Sequence, residues 1–440
     1  MNFHLPSKLA LAKVTEPEYV NKPVDDDLGP HAVYRTFDPN TGRTWGHVVV
    51  HNLARGRFGI GGTRMVKDIP LSEIYRLASA MTLKNALAML PVGGGKSGFD
   101  SDGSQLSAED HILFMRLYAD ALMGFDGYEG CPEYVPGPDM NTNELDMQAL
   151  YDRFAEGLGH RNHGRGGVGR PKQFGGIPLD EWALTAEGLF AALNALERDS
   201  DFTLAGQGAI VQGYGNVGRP IARLLYHAGV RVVGLSDLTG WVYRADGLDI
   251  PAMERHFDGF KPILGAIARE GSVPFDQSGY DASSLDQLLE MSADILVPAA
   301  RPDAIHEGNV SNIQASIILG GANNPVTHGA MPLLHQRGKL FLTDFLVNAG
   351  GVIGATMEQL ADMDLVYRAK FAGADSGRTF VVDRVRNIVS RNVSDVLHRL
   401  DIAGSGTFHG QALAIARERV VNEAFRSENW VGYEGTIVSA

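Results

Sequence analysis

The stretch GAIVQGYGNVGRPIARLLYHAGVRVVGLSD, residues 208–237, combines two apolar runs with a helical pattern between them. Gly208–Val211 begins the first strand, Asn216–Ala228 has the apolar spacing of a helix, and Val230–Leu235 forms a second strand. Two strands joined through a helix are the unit from which parallel sheets are built. The stretch therefore predicts an α/β fold.

The turn after the first strand carries three glycines with the spacing G-x-G-x-x-G: Gly213, Gly215 and Gly218. The first glycine permits the turn, the second lets a pyrophosphate approach the backbone, and the third lets helix and strand pack closely. Asp237 follows Gly213 by about 24 residues, near the spacing of about 20 expected for a carboxylate that binds a ribose 2′-hydroxyl. A simple glycine turn is the alternative. We predict a dinucleotide site that prefers NAD, with NADP possible.

Three further apolar runs predict strands covered on both faces, at Asp294–Val297, Ser316–Gly320 and Leu340–Thr343. Each is followed by a loop of small residues, and ligands of open parallel sheets bind at the carboxyl ends of strands. Asn323 and Asn348 lie in these loops and are candidate nicotinamide contacts. Helix capping or turn formation is the alternative for either asparagine.

A second informative stretch is MTLKNALAMLPVGGGKSGFD, residues 81–100. Lys84 lies near the end of a helical pattern, the glycines after Pro91 predict a tight turn, and Lys96 follows that turn. Two ammonium groups on either side of one turn can point into one cleft, which predicts a site for an anionic ligand. The alternative is an exposed lysine at a helix end beside a structural turn.

Asp139 lies between an extended, proline-broken segment at Glu133–Met140 and a helical pattern at Asn143–Ala155. A carboxylate just before a helix commonly caps that helix. Taken by itself, Asp139 is therefore predicted to be a cap.

Composition limits the classes of function. The 440 residues can form two or three domains, and the net charge of −13 argues against binding to nucleic acid or to an anionic membrane. Cys131 is the single cysteine, so no intrachain disulfide or cysteine-based zinc site is expected, and no other metal site is predicted. No window approaches the ~20 apolar residues of a spanning helix, and no signal peptide is recognised, so we expect a cytoplasmic protein.

Eight motifs in order resemble those of the glutamate/leucine/phenylalanine/valine dehydrogenase superfamily. They are GGTRM at 61–65, KNA at 84–86, PVGGGK at 91–96, GPDMNT at 137–142, LTAEG at 184–188, GYGNVG at 213–218, GANNP at 321–325 and NAGGV at 348–352. The resemblance implies an α/β protein with an N-terminal α/β substrate-binding and oligomerisation domain at 1–184 and a doubly wound Rossmann-type cofactor domain at 185–350. Helices at 351–440 are expected to return to the first domain.

The resemblance also implies a reaction, in which an L-amino acid, NAD(P)⁺ and water give a 2-oxo acid, NAD(P)H and ammonium. Lys84 would hold the substrate α-carboxylate, Lys96 would be the catalytic lysine and Asp139 its partner in proton transfer. Lys84 would also be the second cation that, with burial, lowers the pKa of Lys96. The implied cofactor-binding residues are Thr185, Gly213, Gly215, Asn216, Val217, Gly218, Asp237, Asn323 and Asn348.

The remaining substrate-binding residues implied by the resemblance are Ile60, Gly61, Gly62, Asn348, Val352 and Ala355. Glutamate-specific members have a lysine at the position of Ile60 and a serine at that of Ala355, so both anchors of a distal carboxylate are missing. We therefore expect a hydrophobic L-amino acid. A glutamate dehydrogenase with other side-chain contacts, or a catalytically silent dinucleotide sensor, is the alternative. Arg57, Arg64 and Lys67 are nearby in sequence and expected to be solvated, and a homo-oligomer, most simply a hexamer, is expected.

Overall fold

The computed structural model describes residues 5–15, 26–161, 163–256, 262–279, 282–370 and 374–422. They form two units. Unit 1 comprises Met1–Leu179, Val352–Val381 and Ala416–Ala440, and unit 2 comprises Asp180–Gly351 and Val382–Ile415.

Unit 1 contains a six-stranded sheet in the order β1-β2-β3-β5-β4-β6. Strand β5 pairs antiparallel with β3 and parallel with β4, and β4 pairs parallel with β6. The carboxyl ends of β4, β5 and β6 therefore meet at one edge of the sheet. The strands are β1 Ala10–Lys13, β2 Ala32–Phe37, β3 Thr44–Asn52, β4 Gly59–Met65, β5 Gly93–Phe99 and β6 Tyr134–Pro138.

The predicted turn between the two lysines is wrong, because Gly93–Phe99 is the buried inner strand β5. Its glycines allow neighbouring backbone to approach. A Cβ at Gly94 would lie 2.2 Å from the backbone nitrogen of Thr82 in the helix that crosses the sheet. Lys96 is thus held by a strand in the middle of a sheet instead of by a turn.

Helices cover both faces of this sheet. The helix α1 (Leu71–Leu87) packs over Val33 and Val49, whereas α2 (Ala108–Met123) and α3 (Glu144–Leu158) share a core with Trp45 and Phe99. The helical pattern predicted to end near Lys84 is confirmed as α1, which has Lys84 in its last turn.

Unit 2 contains a seven-stranded sheet in the order β10-β9-β8-β7-β11-β12-β13. Strands β8, β7, β11, β12 and β13 are parallel, and β9 and β10 run antiparallel at one end. The chain passes from β7 to β8 on one side and later to β11 on the other, so the predicted doubly wound, Rossmann-type fold is confirmed. The strands are β7 Gly208–Gln212, β8 Arg231–Asp237, β9 Gly240–Tyr243, β10 Gln277–Gly279, β11 Ile295–Pro298, β12 Ile317–Leu319 and β13 Leu340–Leu342.

The remaining helices follow in chain order. They are α4 Leu184–Asp199, α5 Gly218–His227, α6 Ile250–Arg255, α7 Leu264–Glu270, α8 Ala330–Gln336, α9 Asp344–Val347, α10 Gly350–Met363, α11 Leu365–Ala369, α12 Ala374–Ala403 and α13 Phe408–Val421. Within the described ranges, no helix is both long and apolar enough to cross a membrane.

The C-terminal helices divide between the two units, which differs from the expected return of the whole segment to the first domain. Residues 382–415 belong to unit 2. Polar contacts join α12 to α4 in unit 2, in which Arg386 pairs with Glu187, and Arg198 donates to Ser390 and Ser394. The N-terminal segment of unit 1 ends at Leu179 instead of residue 184, because α4 and the turn before it belong to unit 2.

Candidate active site

Three charged side chains meet at the carboxyl edge of the sheet in unit 1. Lys96 of β5 donates a hydrogen bond from Nζ to Oδ2 of Asp139, which follows β6. Arg64 of β4 donates from Nε to the same Oδ2 at 3.3 Å and from Nη2 to Oδ1 at 3.5 Å. The three adjacent strands β5, β4 and β6 thus place one carboxylate between two cations.

Burial and the neighbouring charges determine how this cluster ionises. Burial lowers the pKa of Lys96, the carboxylate of Asp139 acts in the opposite direction, and Arg64 lowers it further, with a lowered pKa as the net result. Burial alone would raise the pKa of Asp139, but Lys96 and Arg64 lower it well below its usual range. Asp139 is therefore a carboxylate near neutral pH, and Lys96 is shifted toward a neutral amine that can act as a base.

Asp139 is not the cap of α3. Asn143 occupies that position and forms a capping box with Asp146. Asp139 instead stabilises its own loop, because Oδ1 accepts from the backbone nitrogen of Met140 at 2.8 Å and the Asp139 nitrogen donates to Thr142 Oγ1 at 2.9 Å. These bonds orient the carboxylate toward Lys96.

Arg64 was not recognised from the sequence as part of the site. Its expected solvation is wrong, since the residue is buried and pairs with Asp139 and, through Nη1, with Glu73 of α1 at 2.7 Å. Alternation along β4 places its side chain on the face of the strand toward which a Cβ on Gly62 would point. Gly62 and Arg64, two residues apart in an extended pattern, could have signalled a strand that presents a cation beside bare backbone.

Gly62 makes the close approach of this cluster possible. A Cβ at Gly62 would lie 2.7 Å from Cβ of Asp139, 2.9 Å from Nζ of Lys96 and 3.0 Å from the carbonyl oxygen of Pro138. Only a residue without a side chain fits there. The neighbouring Gly61 accepts a hydrogen bond at its carbonyl from the hydroxyl of Tyr134 at 2.8 Å, and a Cβ at Gly61 would overlap the carbonyl of Gly95.

Lys84 lies in the last turn of α1 and is buried. The next residue, Asn85, donates to the carbonyl oxygen of Gly93 at 2.6 Å and so ties the end of α1 to the start of β5. Arg64 is a cation whose charge lowers the pKa of Lys96, and the same part for Lys84 stays a prediction.

The predicted side-chain-selecting residues are buried in two elements of the chain. Ile60 in β4 is 1% exposed, and alternation along the strand puts it on the face of Gly62 and Arg64. Val352 and Ala355 lie one turn apart in α10 and are also buried. Helix α10 also contacts the loop after α3, because Arg170 of that loop forms buried ion pairs with Glu358 and Asp362 of the helix.

The glycine turn of unit 2 fits a dinucleotide. Gly213 has φ +94°, and a Cβ at Gly218 would overlap the carbonyl oxygen of Gly213. A Cβ at Gly215 would meet open space, so its backbone is accessible. The helix α5 begins after Asn216 and Val217, with no side chain capping its first amides. Open backbone beside an uncapped helix N-terminus suits a pyrophosphate.

Asp237 does not fit the predicted ribose contact. Its Oδ1 accepts from the backbone nitrogen and the hydroxyl of Thr239 at 2.8 and 2.6 Å, and its Oδ2 accepts from the nitrogens of Ile263 and Leu264 at 2.7 and 2.8 Å. A carboxylate has about four acceptor positions, and all are filled. Asp237 ties β8 to the start of α7, and the ribose contact is not supported.

The change Asp237→Asn tests this correction. An amide nitrogen cannot accept from Ile263 and Leu264, so we expect the free energy of unfolding to fall by about 1–3 kcal/mol. The ratio of KM for NADP⁺ to KM for NAD⁺ should stay unchanged, which steady-state kinetics would measure. Asp246→Asn, at an exposed position, is the matched control. A fall in that ratio would contradict the correction and support a contact between Asp237 and the ribose.

The two predicted asparagines meet at the carboxyl edge of unit 2. Asn348 donates from Nδ2 to Oδ1 of Asn323 at 3.1 Å and to the carbonyl oxygens of Gly321 and Ala322. Its Oδ1 is buried without a hydrogen-bond partner among the described residues, so it can accept from a ligand amide such as nicotinamide. Thr185 lies in the first turn of α4. Its Oγ1 would be 3.6 Å from a Cβ atom added to Gly351, so the two residues are neighbours.

Comparison with known proteins identifies a family for segments in each of the two units. The family model described as Glutamate/Leucine/Phenylalanine/Valine dehydrogenase matches residues 175–424, and that of the Glu/Leu/Phe/Val dehydrogenase dimerisation domain matches residues 33–156. The NADP-specific glutamate dehydrogenase of Saccharolobus shibatae is 31% identical over 373 residues, covering 84% of this chain and 82% of that protein.

The catabolic NAD-specific glutamate dehydrogenase of Bacillus subtilis is also 31% identical over 373 residues, 84% of this chain and 81% of that protein. Among solved structures, hetero-hexameric glutamate dehydrogenase from Thermus thermophilus in its Leu-bound form has a TM-score of 0.72 at 26% identity, covering 96% of this chain and 90% of that one. The chain therefore belongs to the glutamate/leucine/phenylalanine/valine dehydrogenase family of NAD(P)-dependent oxidoreductases, which act on the CH–NH₂ group of an amino acid.

Proposed function

We propose that the protein oxidatively deaminates an L-amino acid with a hydrophobic side chain, releasing the 2-oxo acid and ammonium while NAD(P)⁺ is reduced. The observation that carries this proposal is the buried cluster of Lys96, Asp139 and Arg64. A lysine whose pKa is lowered beside a fixed carboxylate is suited to move protons near neutral pH.

In this mechanism, the oxidised nicotinamide supplies the acceptor for the hydride that leaves the substrate Cα. Lys84 holds the α-carboxylate. Lys96 takes a proton from the water that attacks the resulting iminium carbon and returns it to the amino nitrogen of the adduct. As the C–N bond breaks and ammonia departs, Lys96 accepts the hydroxyl proton, which leaves the carbonyl of the 2-oxo acid. The backbone around Gly213–Gly218 and the amides of Asn323 and Asn348 would hold the dinucleotide.

We infer that Asp139 does not act as the proton relay that the resemblance implies. Its carboxylate is held by two cations and by the nitrogen of Met140, and its pKa is well below the usual range. A group so stabilised as an anion is a poor proton carrier. We infer that Asp139 orients Lys96 and stabilises the ammonium that forms when Lys96 takes up a proton.

The side-chain preference rests on Ile60 and Ala355, which are both apolar and buried. A substrate carboxylate placed against them without a cation would lose several kcal/mol of solvation. Arg64, the cation on the same strand, is engaged by Asp139 and Glu73. The second candidate substrate is glutamate, and the names of the relatives favour it.

The test is formation of reduced dinucleotide from each proteinogenic L-amino acid, with NAD⁺ and with NADP⁺. We expect the highest kcat/KM with branched or aromatic apolar amino acids. Turnover of glutamate alone would overturn the hydrophobic assignment and support the second candidate. Binding of dinucleotide without turnover of any amino acid would favour a dinucleotide sensor.

Introducing a cation at the side-chain pocket should change the substrate preference. The substitution Ile60→Lys is expected to raise the ratio of kcat/KM for glutamate to that for leucine by about tenfold or more, because it supplies a partner for the distal carboxylate. Ile60→Met, which keeps an apolar side chain of similar volume, is the control. An unchanged ratio in Ile60→Lys would show that this residue does not line the pocket.

We also propose that the protein forms a homo-oligomer, most simply a hexamer. The match of residues 33–156 to a dimerisation domain and the hetero-hexameric state named for the Thermus relative support this. Light scattering coupled to size-exclusion chromatography would give the mass, and a monomer would contradict the proposal.

A further inference from the structure

Resting on the proposed function, we propose that Arg64 is a positioning residue for catalysis. It holds Asp139 as a fixed carboxylate and disfavours the ammonium form of Lys96 at rest. Arg64 of β4 thereby influences whether Lys96 of β5 is charged or neutral.

Four charged side chains form a line in which negative and positive charges alternate. Glu73 of α1 accepts from Arg64 Nη1 at 2.7 Å, and Arg64 donates through Nε and Nη2 to the two oxygens of Asp139, which also accepts from Lys96. The side chain of Arg64 is 7% exposed and that of Asp139 is 13% exposed. At this burial, charges act on one another with little screening by water.

Arg64 changes what Asp139 can do for Lys96. If Asp139 had Lys96 as its single cationic partner, its whole charge would stabilise the ammonium, and the pKa of Lys96 would be higher. Because Arg64 shares the carboxylate, part of that charge is already compensated. Arg64 also repels the ammonium directly, which lowers the pKa of Lys96.

Charged groups from the loop after β6, from α1 and from β4 contribute to this balance. Asp139 from the loop after β6 and Glu73 from α1 both raise the pKa of Lys96, whereas burial and Arg64 of β4 lower it. Helix α1 also carries Lys84 in its last turn, and β6 carries Tyr134, a buried phenol whose pKa is raised. Arg64 is the member of this set that contacts the carboxylate shared with the base.

The pH dependence of kcat/KM tests the proposal. Its acidic limb reports the loss of a proton from Lys96 in the free enzyme. Removing the cation in Arg64→Gln should raise the pKa of Lys96 and move this limb to higher pH by about one unit. Arg64→Lys, which keeps a cation, should return the limb most of the way toward that of the wild type.

Two control variants separate an electrostatic effect on Lys96 from an effect of lost packing. Arg57→Gln removes the same charge at an exposed position before β4 and should leave the limb in place. Glu73→Gln removes a group that raises the pKa of Lys96 and should move the limb to lower pH. A limb that stays in place in Arg64→Gln, with activity simply reduced, would overturn the proposal and leave Arg64 a structural residue.

A readout independent of turnover keeps this test separate from the proposed function. Competitive labelling with acetic anhydride, quantified by mass spectrometry on the peptide that contains Lys96, measures the pH at which this amine becomes reactive. We expect that midpoint to rise in Arg64→Gln and to be largely restored in Arg64→Lys. If the wild type oxidised no amino acid, the proposed function would fail, and an unchanged labelling midpoint would separately overturn the part assigned to Arg64.

Discussion

Replacing Lys96 with Met should reduce kcat by about 10²–10⁴ while leaving the affinity for the dinucleotide unchanged. Methionine fills a similar volume in the buried strand β5, but it cannot accept a proton from the attacking water. Asp139 keeps its bonds to Arg64 and to the nitrogen of Met140, so the change leaves no buried carboxylate without a partner. The fold should therefore be retained.

Initial rates and dinucleotide titration by calorimetry would measure the two effects of Lys96→Met. Lys67→Met is the matched control, because Lys67 follows β4 in sequence and its side chain is 76% exposed. That variant should keep wild-type turnover. If Lys96→Met retained its turnover, Lys96 would have to be removed from the mechanism.

Gly62→Ala is expected to lower kcat by about a hundredfold with little change in secondary structure. The added methyl group would lie 2.7 Å from Cβ of Asp139 and 2.9 Å from Nζ of Lys96, which is closer than real Cβ atoms come to heavy atoms. The flexible ammonium can move away, but the backbone carbonyl of Pro138, 3.0 Å distant, restricts the methyl on the other side. The pair would separate, and proton transfer depends on that contact.

Gly137→Ala is the control for this change, because a Cβ there would lie no closer than 3.7 Å to any neighbour. Circular dichroism and thermal unfolding would show whether each variant folds, and kcat would be compared at saturating substrate. Equal kcat in the two variants would mean that the close approach at Gly62 has no part in catalysis.

Both predictions depend on contacts that could be predicted from the sequence only in part. The spacing of Gly213, Gly215 and Gly218 between an apolar strand and a helix identified the cofactor half of the fold, because local chain geometry dictates that pattern. The family motifs drew attention to Lys96 and Asp139. Their direct contact could not be read from a separation of 43 residues, and it follows from the order of β5, β4 and β6 in the sheet.

The corrections share one cause. A run of glycines after proline suggests a turn when read locally, but in the folded chain Gly93–Phe99 is an inner strand that a helix approaches closely. An acidic residue at the end of β8 suggests a ribose ligand, but four donors from Thr239, Ile263 and Leu264 already occupy Asp237. In each case, contacts that include residues distant in sequence decided what the local pattern does.

The amino-acid sequence by itself determined the α/β class, the glycine turn between a strand and a helix in unit 2 and the presence of two lysines near one glycine run. These features depend on periodicity and on glycine spacing, which act over a few neighbouring residues. Only the tertiary structure decided that Arg64 is a buried member of the cluster and that Asp237 is internally satisfied. Charge interactions and hydrogen-bond saturation depend on which groups the sheets bring within a few ångströms, and no spacing along the chain encodes that.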